Sequence, residues 1–149
     1  MKRVLVVCMG NICRSPTGEA VLRARAEKKA IDVIIDSAGT IGYHHGNPPD
    51  KRSRQAGEAR GYSFSGIRAR QVNEDDFELF DMILAADRDN LTDLKKRCPH
   101  HLKYKLSLFL SHGNSSHDEI PDPYYGGEQG FELVLDLIED AADAVLAKL

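Results

Sequence analysis

Val4-Leu5-Val6-Val7-Cys8-Met9-Gly10-Asn11-Ile12-Cys13-Arg14-Ser15-Pro16 is the stretch whose reading decides the fold. Four consecutive apolar residues, mostly β-branched, read as a short buried strand that delivers Cys8 to its C-terminal end. Gly10 and Asn11 tolerate positive φ, so the backbone can curl tightly between Cys8 and Arg14. Pro16 suits the first position of a helix, and Ser15 before it suits the cap. Strand, loop and helix N-terminus together make an anion site, with amide N–H groups of Met9 to Ser15 converging on one point and the helix dipole favouring negative charge there. Arg14 adds a planar fork that matches two phosphate oxygens at once. A thiol at the mouth of such a nest is favoured as the thiolate, the form that attacks. A cysteine ending a buried strand is ordinarily just a small apolar residue. Here the strand before it, the Gly-Asn bend and the Ser-Pro helix start turn it into a nucleophile aimed at a phosphoryl group.

The chain has 149 residues, a length that suits one domain over 1–149 with a core large enough to need no disulfide or metal. Its net charge of −3, with no basic block, argues against nucleic acid as the main partner. No apolar run approaches the ~18 residues of a membrane span, and the start lacks the pattern of a signal peptide. Three cysteines do not make a disulfide framework, which points to a reducing cytoplasm.

Working outward, Thr17 to Ala30 reads as a helix with Ala20, Val21 and Ala24 at helical spacing, and Ile31 to Asp36 as a second strand with Val33-Ile34-Ile35 as its buried run. A helix between two apolar strands predicts a right-handed parallel βαβ unit. Ser37-Ala38-Gly39-Thr40 then leaves the second strand on the same edge as the Cys8 loop, where open α/β sheets place ligands. Ile41 to Pro49 is a loop, and the adjacent His44 and His45 within it read as solvated rather than as metal ligands. Asp50 caps a helix to about Arg60, and Asn73 caps a short acidic one. Phe80 to Ala86 is a third strand, Asp87 caps a helix to about Arg97, and Lys103 to Leu110 is a fourth strand. Phe131 to Leu149 is a last helix with one broad apolar face. The expected fold is α/β, a single three-layer domain with a four-stranded parallel twisted sheet flanked by helices on both faces.

Asp122-Pro123-Tyr124-Tyr125-Gly126-Gly127 is the second constellation. Taken alone, Asp-Pro is a turn signal. Cleavage of an aryl phosphate, however, expels a phenoxide whose conjugate acid has a pKa of about 10, and an acid that protonates it speeds the reaction. Arg14 is no useful acid, whereas a carboxyl on a facing loop can be one.

CMGNICRSP, SAGT, ARQ and DPYYG, spread over essentially the whole chain, resemble the low-molecular-weight protein tyrosine phosphatases. The resemblance implies Cys8 as nucleophile, Arg14 as phosphate binder and Asp122 as general acid, with no metal and no cofactor. It implies that Ser37 hydrogen-bonds Asn11, that Ser15 supports the thiolate, and that Ile12, Tyr43, Tyr124 and Tyr125 wall a cleft for a flat phenyl phosphate. It favours Cys13 as a redox partner of Cys8, where spacing alone leaves packing and pairing about even. Asp87 matches a family aspartate that supports the site, although capping alone explains it. Some members carry a histidine where this chain has Ile67, so that residue's bracing role does not transfer. The implied partners are a phosphotyrosine protein and, at the Cys8 loop, inorganic phosphate or similar oxyanions, with the chain a monomer or weakly self-associating. Arginine phosphatases of this fold usually place a threonine at Ile12, and arsenate reductases need two further cysteines where only Cys98 lies outside the loop. A non-catalytic phosphopeptide module would have no need of Cys8 and Asp122 together.

Overall fold

The computed structural model describes residues 1–124 and 127–149. Its elements follow in the order β1 (Lys2–Cys8), α1 (Arg14–Lys28), β2 (Val33–Gly39), α2 (Lys51–Ala59), α3 (Glu74–Leu79), β3 (Met82–Ala85), α4 (Arg88–Arg97), β4 (Leu106–Leu108) and α5 (Glu128–Ala147). The strands form one parallel sheet in the order β2-β1-β3-β4. From β1 the chain goes first to one side of the sheet and then crosses to the other. The order therefore reverses at β1, and the crevice outside its carboxyl end is where such sheets hold ligands. Cys8 sits at that end.

β1 is buried from Val4 to Cys8 because it is central and covered on both faces. Val4, Val6 and Cys8 face a core shared with Val21 and Leu22 of α1 and Leu135, Ile138 and Val145 of α5. Leu5 and Val7 face the opposite core, built with Phe77 of α3 and Leu94 of α4. The expected helices on both faces are thus present.

The local boundaries differ from the sequence reading at several elements: β3 is confined to Met82–Ala85 and α5 begins three residues earlier, at Glu128. α1 begins at Arg14 with Cys13 in the capping position and no side-chain cap, so Ser15 does not cap and Pro16 is not the first helical residue. Ser15 is instead drawn inward by the Cys8 sulfur and the Asn11 carboxamide. β2 runs on through Ser37 to Gly39, and as an edge strand it leaves Ile34 exposed rather than buried. The fourth strand shrinks to Leu106–Leu108 because 3₁₀ turns at His100–Lys105 and Phe109–His112 take its ends.

Gly39 shows how closely the β2 end is packed under the Cys8 loop. A Cβ there would stand 2.6 Å from the Met9 carbonyl and 2.9 Å from that of Ile41, both backbone atoms that cannot swing aside. Gly39→Ala should therefore cost about 1–3 kcal/mol of stability, measured by urea unfolding. A variant as stable as wild type would mean that the loop yields freely at this contact.

Candidate active site

Three carbonyls of the Cys8 loop are tied to neighbouring chain: Cys8 to the Thr40 amide at 2.9 Å, Met9 to Ile41 at 3.1 Å and Ile12 to Asp50 at 2.7 Å. A trans peptide unit sends its N–H opposite its C=O, so the amides of Met9, Gly10 and Cys13 point the other way, toward the concave side. Asn11 makes the bend with φ 59°, in the left-handed region the sequence suggested. The loop floors a cleft of about 370 Å³ that also takes in Arg14, Tyr43, Asp122 and Tyr124. On this floor the Cys8 sulfur lies 2.9 Å from Ser15 Oγ and 3.4 Å from the Ser15 amide nitrogen.

Beneath the floor, the Asn11 Nδ2 group donates to Ser15 Oγ at 2.8 Å and to Ser37 Oγ at 3.0 Å, while Oδ1 accepts from the Arg70 amide at 2.9 Å. Ser37 donates onward to Glu19 Oε1 at 2.6 Å. Ser37 gives its hydrogen to Glu19 and accepts from Asn11. Ser15, also accepting from Asn11, has its own hydrogen for the Cys8 sulfur at 2.9 Å or the Ala38 carbonyl at 3.4 Å. Glu19 is buried on α1 and pairs with Arg23 one turn on, at 2.5 Å. Burial pushes its carboxyl up, against the pull of Ser37 and Arg23. Glu19 has no part in the sequence-based expectations; an acid four residues after Ser15, on the helix that opens the site, is the signal the sequence offers for it.

Arg14 is 4% exposed and anchored from behind. Its Nη1 donates to Asp87 Oδ2 at 2.6 Å and to the Ile120 carbonyl at 3.0 Å. Burial works against its charge, but negative charge on Cys8, Asp87 and Asp122 outweighs it and moves its pKa upward, so the guanidinium stays charged. Asp87 does cap α4 through the Asn90 amide, yet its other oxygen holds Arg14, a second task that the cap reading hid. Asp122 reaches over from the opposite wall, with Oδ2 3.7 Å from Arg14 Nη2 and Oδ1 accepting from the Tyr124 amide at 3.0 Å.

At the mouth Tyr43 is 83% exposed, and Ile12 and Tyr124 line the walls. Tyr125 lies outside the described residues. His44, read as simply solvated, is part-buried, lines the cleft and meets the Tyr43 ring edge-on, with centroids 4.9 Å apart. Cys8, Cys13 and Cys98 are all free thiols. Burial pushes the Cys13 thiol up to about 12, with Ser53 acting against and Asp50 with the shift. Among the described residues no cluster of metal-ligating side chains occurs, and no helix is long and apolar enough to cross a membrane.

Cys8, Arg14 and Asp122 thus meet around one cleft, and known proteins match the chain over most or all of its length. The family model described as low molecular weight phosphotyrosine protein phosphatase matches residues 3–149. A low molecular weight protein-tyrosine-phosphatase of Bacillus subtilis is 40% identical, covering 100% of this chain and 96% of its own. The human low molecular weight phosphotyrosine protein phosphatase is 42% identical over 89% of this chain and 86% of its own. The crystal structure of a protein tyrosine phosphatase from Entamoeba histolytica, with Hepes in its active site, superposes with a TM-score of 0.96 at 42% identity, covering 99% and 96% of the two chains. With a family model matched almost end to end and relatives at this identity on the same fold, the chain belongs to the low molecular weight phosphotyrosine protein phosphatase family.

Proposed function

We propose that the protein, acting as a single domain, hydrolyses phosphotyrosine in proteins through a cysteinyl-phosphate intermediate. The observation that carries this reading is the convergence of Cys8, Arg14 and Asp122 on one cleft whose floor is lined by backbone amides. In the first step the Cys8 thiolate attacks phosphorus in line. The P–O bond to the tyrosine breaks, and Asp122 gives its proton to the departing phenoxide oxygen. Arg14, its Nη1 spent on Asp87 and Ile120, offers the Nε and Nη2 edge to two equatorial oxygens, and the loop amides take the rest. In the second step water attacks phosphorus and passes a proton to Asp122. The S–P bond breaks, and the thiolate returns to the Ser15 hydroxyl that faces it.

Substrate class follows from depth. Cys8 is 3% exposed at the bottom of the cleft, so a phosphate must stand on a long, flat stem to reach it, and Ile12, Tyr43 and Tyr124 supply apolar walls for a phenyl ring. The loop should also bind inorganic phosphate and similar oxyanions. The redox partnership of Cys8 with Cys13 belongs to the same reading. Peroxide would convert the Cys8 thiolate to the sulfenic acid, and the Cys13 thiolate would displace hydroxide to form a disulfide that an added thiol reduces. With the Cys13 thiol pushed up to about 12, its thiolate is scarce at neutral pH and increases about tenfold per pH unit up to that value.

Asp122→Asn should slow phosphotyrosine peptide turnover by roughly 10²–10⁴-fold, and the penalty should shrink along a series of aryl phosphates as the leaving phenol becomes more acidic. Equal penalties along the series would remove Asp122 from the acid role. After peroxide, the activity recovered by a thiol reductant should exceed that of Cys13→Ser by a margin that widens from about pH 7 to 9. Equal recovery in the two proteins at every pH would leave Cys13 a packing residue.

A further inference from the structure

Arg52, in the first turn of α2, is absorbed by none of the chemistry above, yet it joins Tyr124 of the cleft wall to Asp50, which is bonded to the Cys8 loop. Asp50, whose own amide is held by the Ile12 carbonyl of the Cys8 loop, grips Arg52 through the backbone amide at 2.8 Å, Nε at 3.2 Å and Nη2 at 3.3 Å. The same Nη2 donates to the Tyr124 carbonyl at 2.9 Å. The guanidinium lies over the Phe131 ring at 4.8 Å and faces the Tyr124 ring at 5.5 Å, both within cation–π range. Phe131 is buried at the start of α5, so it is a fixed platform rather than a moving one.

The other end of Tyr124 bears on Asp122. The Tyr124 amide closes a turn on the Asp122 carboxylate, so the Tyr124 peptide units sit between Arg52 and the Asp122 oxygens. The Tyr124 carbonyl is on an exposed loop and could be satisfied by water, which makes the Arg52 bond of little consequence for stability. What water cannot supply is a fixed distance from the Cys8 loop. The chain of contacts Ile12–Asp50–Arg52–Tyr124–Asp122 links the two loops.

We infer that Arg52 is a positioning residue for the first chemical step: it braces the Asp122 loop against the Cys8 loop and so places the Asp122 carboxyl at the leaving oxygen. This rests on the reading of Asp122 as general acid. A carboxyl displaced by about 1 Å can lose on the order of 10²-fold in rate, so a brace that is only partly replaced by water should matter by roughly tenfold.

The test uses the full chain with an aryl phosphate series, in wild type, Arg52→Ala, Arg52→Lys, Asp122→Asn and the double variant Arg52→Ala/Asp122→Asn. Arg52→Ala should lower kcat/KM roughly tenfold on phenyl phosphate and much less where the leaving phenol is acidic. Inhibition by inorganic phosphate should stay within about twofold, and the midpoint of thermal unfolding within about 2 °C. Arg52→Lys, which keeps the charge but loses the Nε bond to Asp50 and the planar group over Phe131, should fall between. In the Asp122→Asn background, removing Arg52 should cost little more. A leaving-group dependence in Asp122→Asn but none in Arg52→Ala overturns the brace while leaving the acid role intact. Its absence in Asp122→Asn overturns the acid role first. A rise in KM shared by all substrates in Arg52→Ala would make Arg52 a direct substrate contact and overturn the inference as well.

Discussion

The Asn11 carboxamide is the constraint on which the site depends. A non-glycine residue at φ 59° in a buried loop is held there only if its surroundings over-determine it, and Asn11 has bonds to Ser15, Ser37 and the Arg70 amide. Those partners come from α1, β2 and the segment before α3, so one side chain fastens three separate stretches of chain to the turn. Arg70 is itself clamped by Asp36 and Asp76, which extends the fastening to the far side of the sheet edge. With this side chain satisfied, the loop amides are fixed toward the cleft before any anion arrives. A site whose dipoles are already oriented loses nothing to reorganisation during the reaction.

Charge placement follows the same logic. Arg14 is buried where a lone cation would be costly, and Asp87 with the Ile120 carbonyl answers that cost from behind. Ile120 is in turn pinned to the end of β3 through the Ala86 carbonyl at 2.8 Å. These bonds hold Nη1 and so fix the orientation of the guanidinium in the cleft.

Much of this was legible in the chain. The run from Val4 to Pro16 names its own fold because a buried strand, a Gly-Asn bend and a helix start are local events with local residue signatures. The parallel four-stranded sheet with helices on both faces follows from alternation of apolar strands and helices. What sequence could not give were tasks shared between distant residues. Asp87 looks complete as a cap, and only the fold brings its second oxygen to Arg14. Glu19 and Arg52 look like ordinary helix charges until α1 and α2 are packed beside β2 and the Asp122 loop. Ser15 misled in the opposite direction: a serine before proline is a good cap, but the Cys8 sulfur and Asn11 compete for its hydroxyl. Three β-branched residues in a row suggest a covered strand and put Ile34 inside, whereas β2 lies at the sheet edge and leaves it exposed.

The central claim is that phosphorus passes through the Cys8 sulfur. Rapid quenching of the Asp122→Asn variant during turnover of an aryl phosphate with an acidic leaving phenol, followed by mass spectrometry of its peptides, tests it most directly. The account predicts the added mass of one phosphoryl group on the peptide carrying Cys8, and none in Cys8→Ser. A phosphoryl group on another residue, or Cys8→Ser turnover above about a thousandth of wild type, would contradict it.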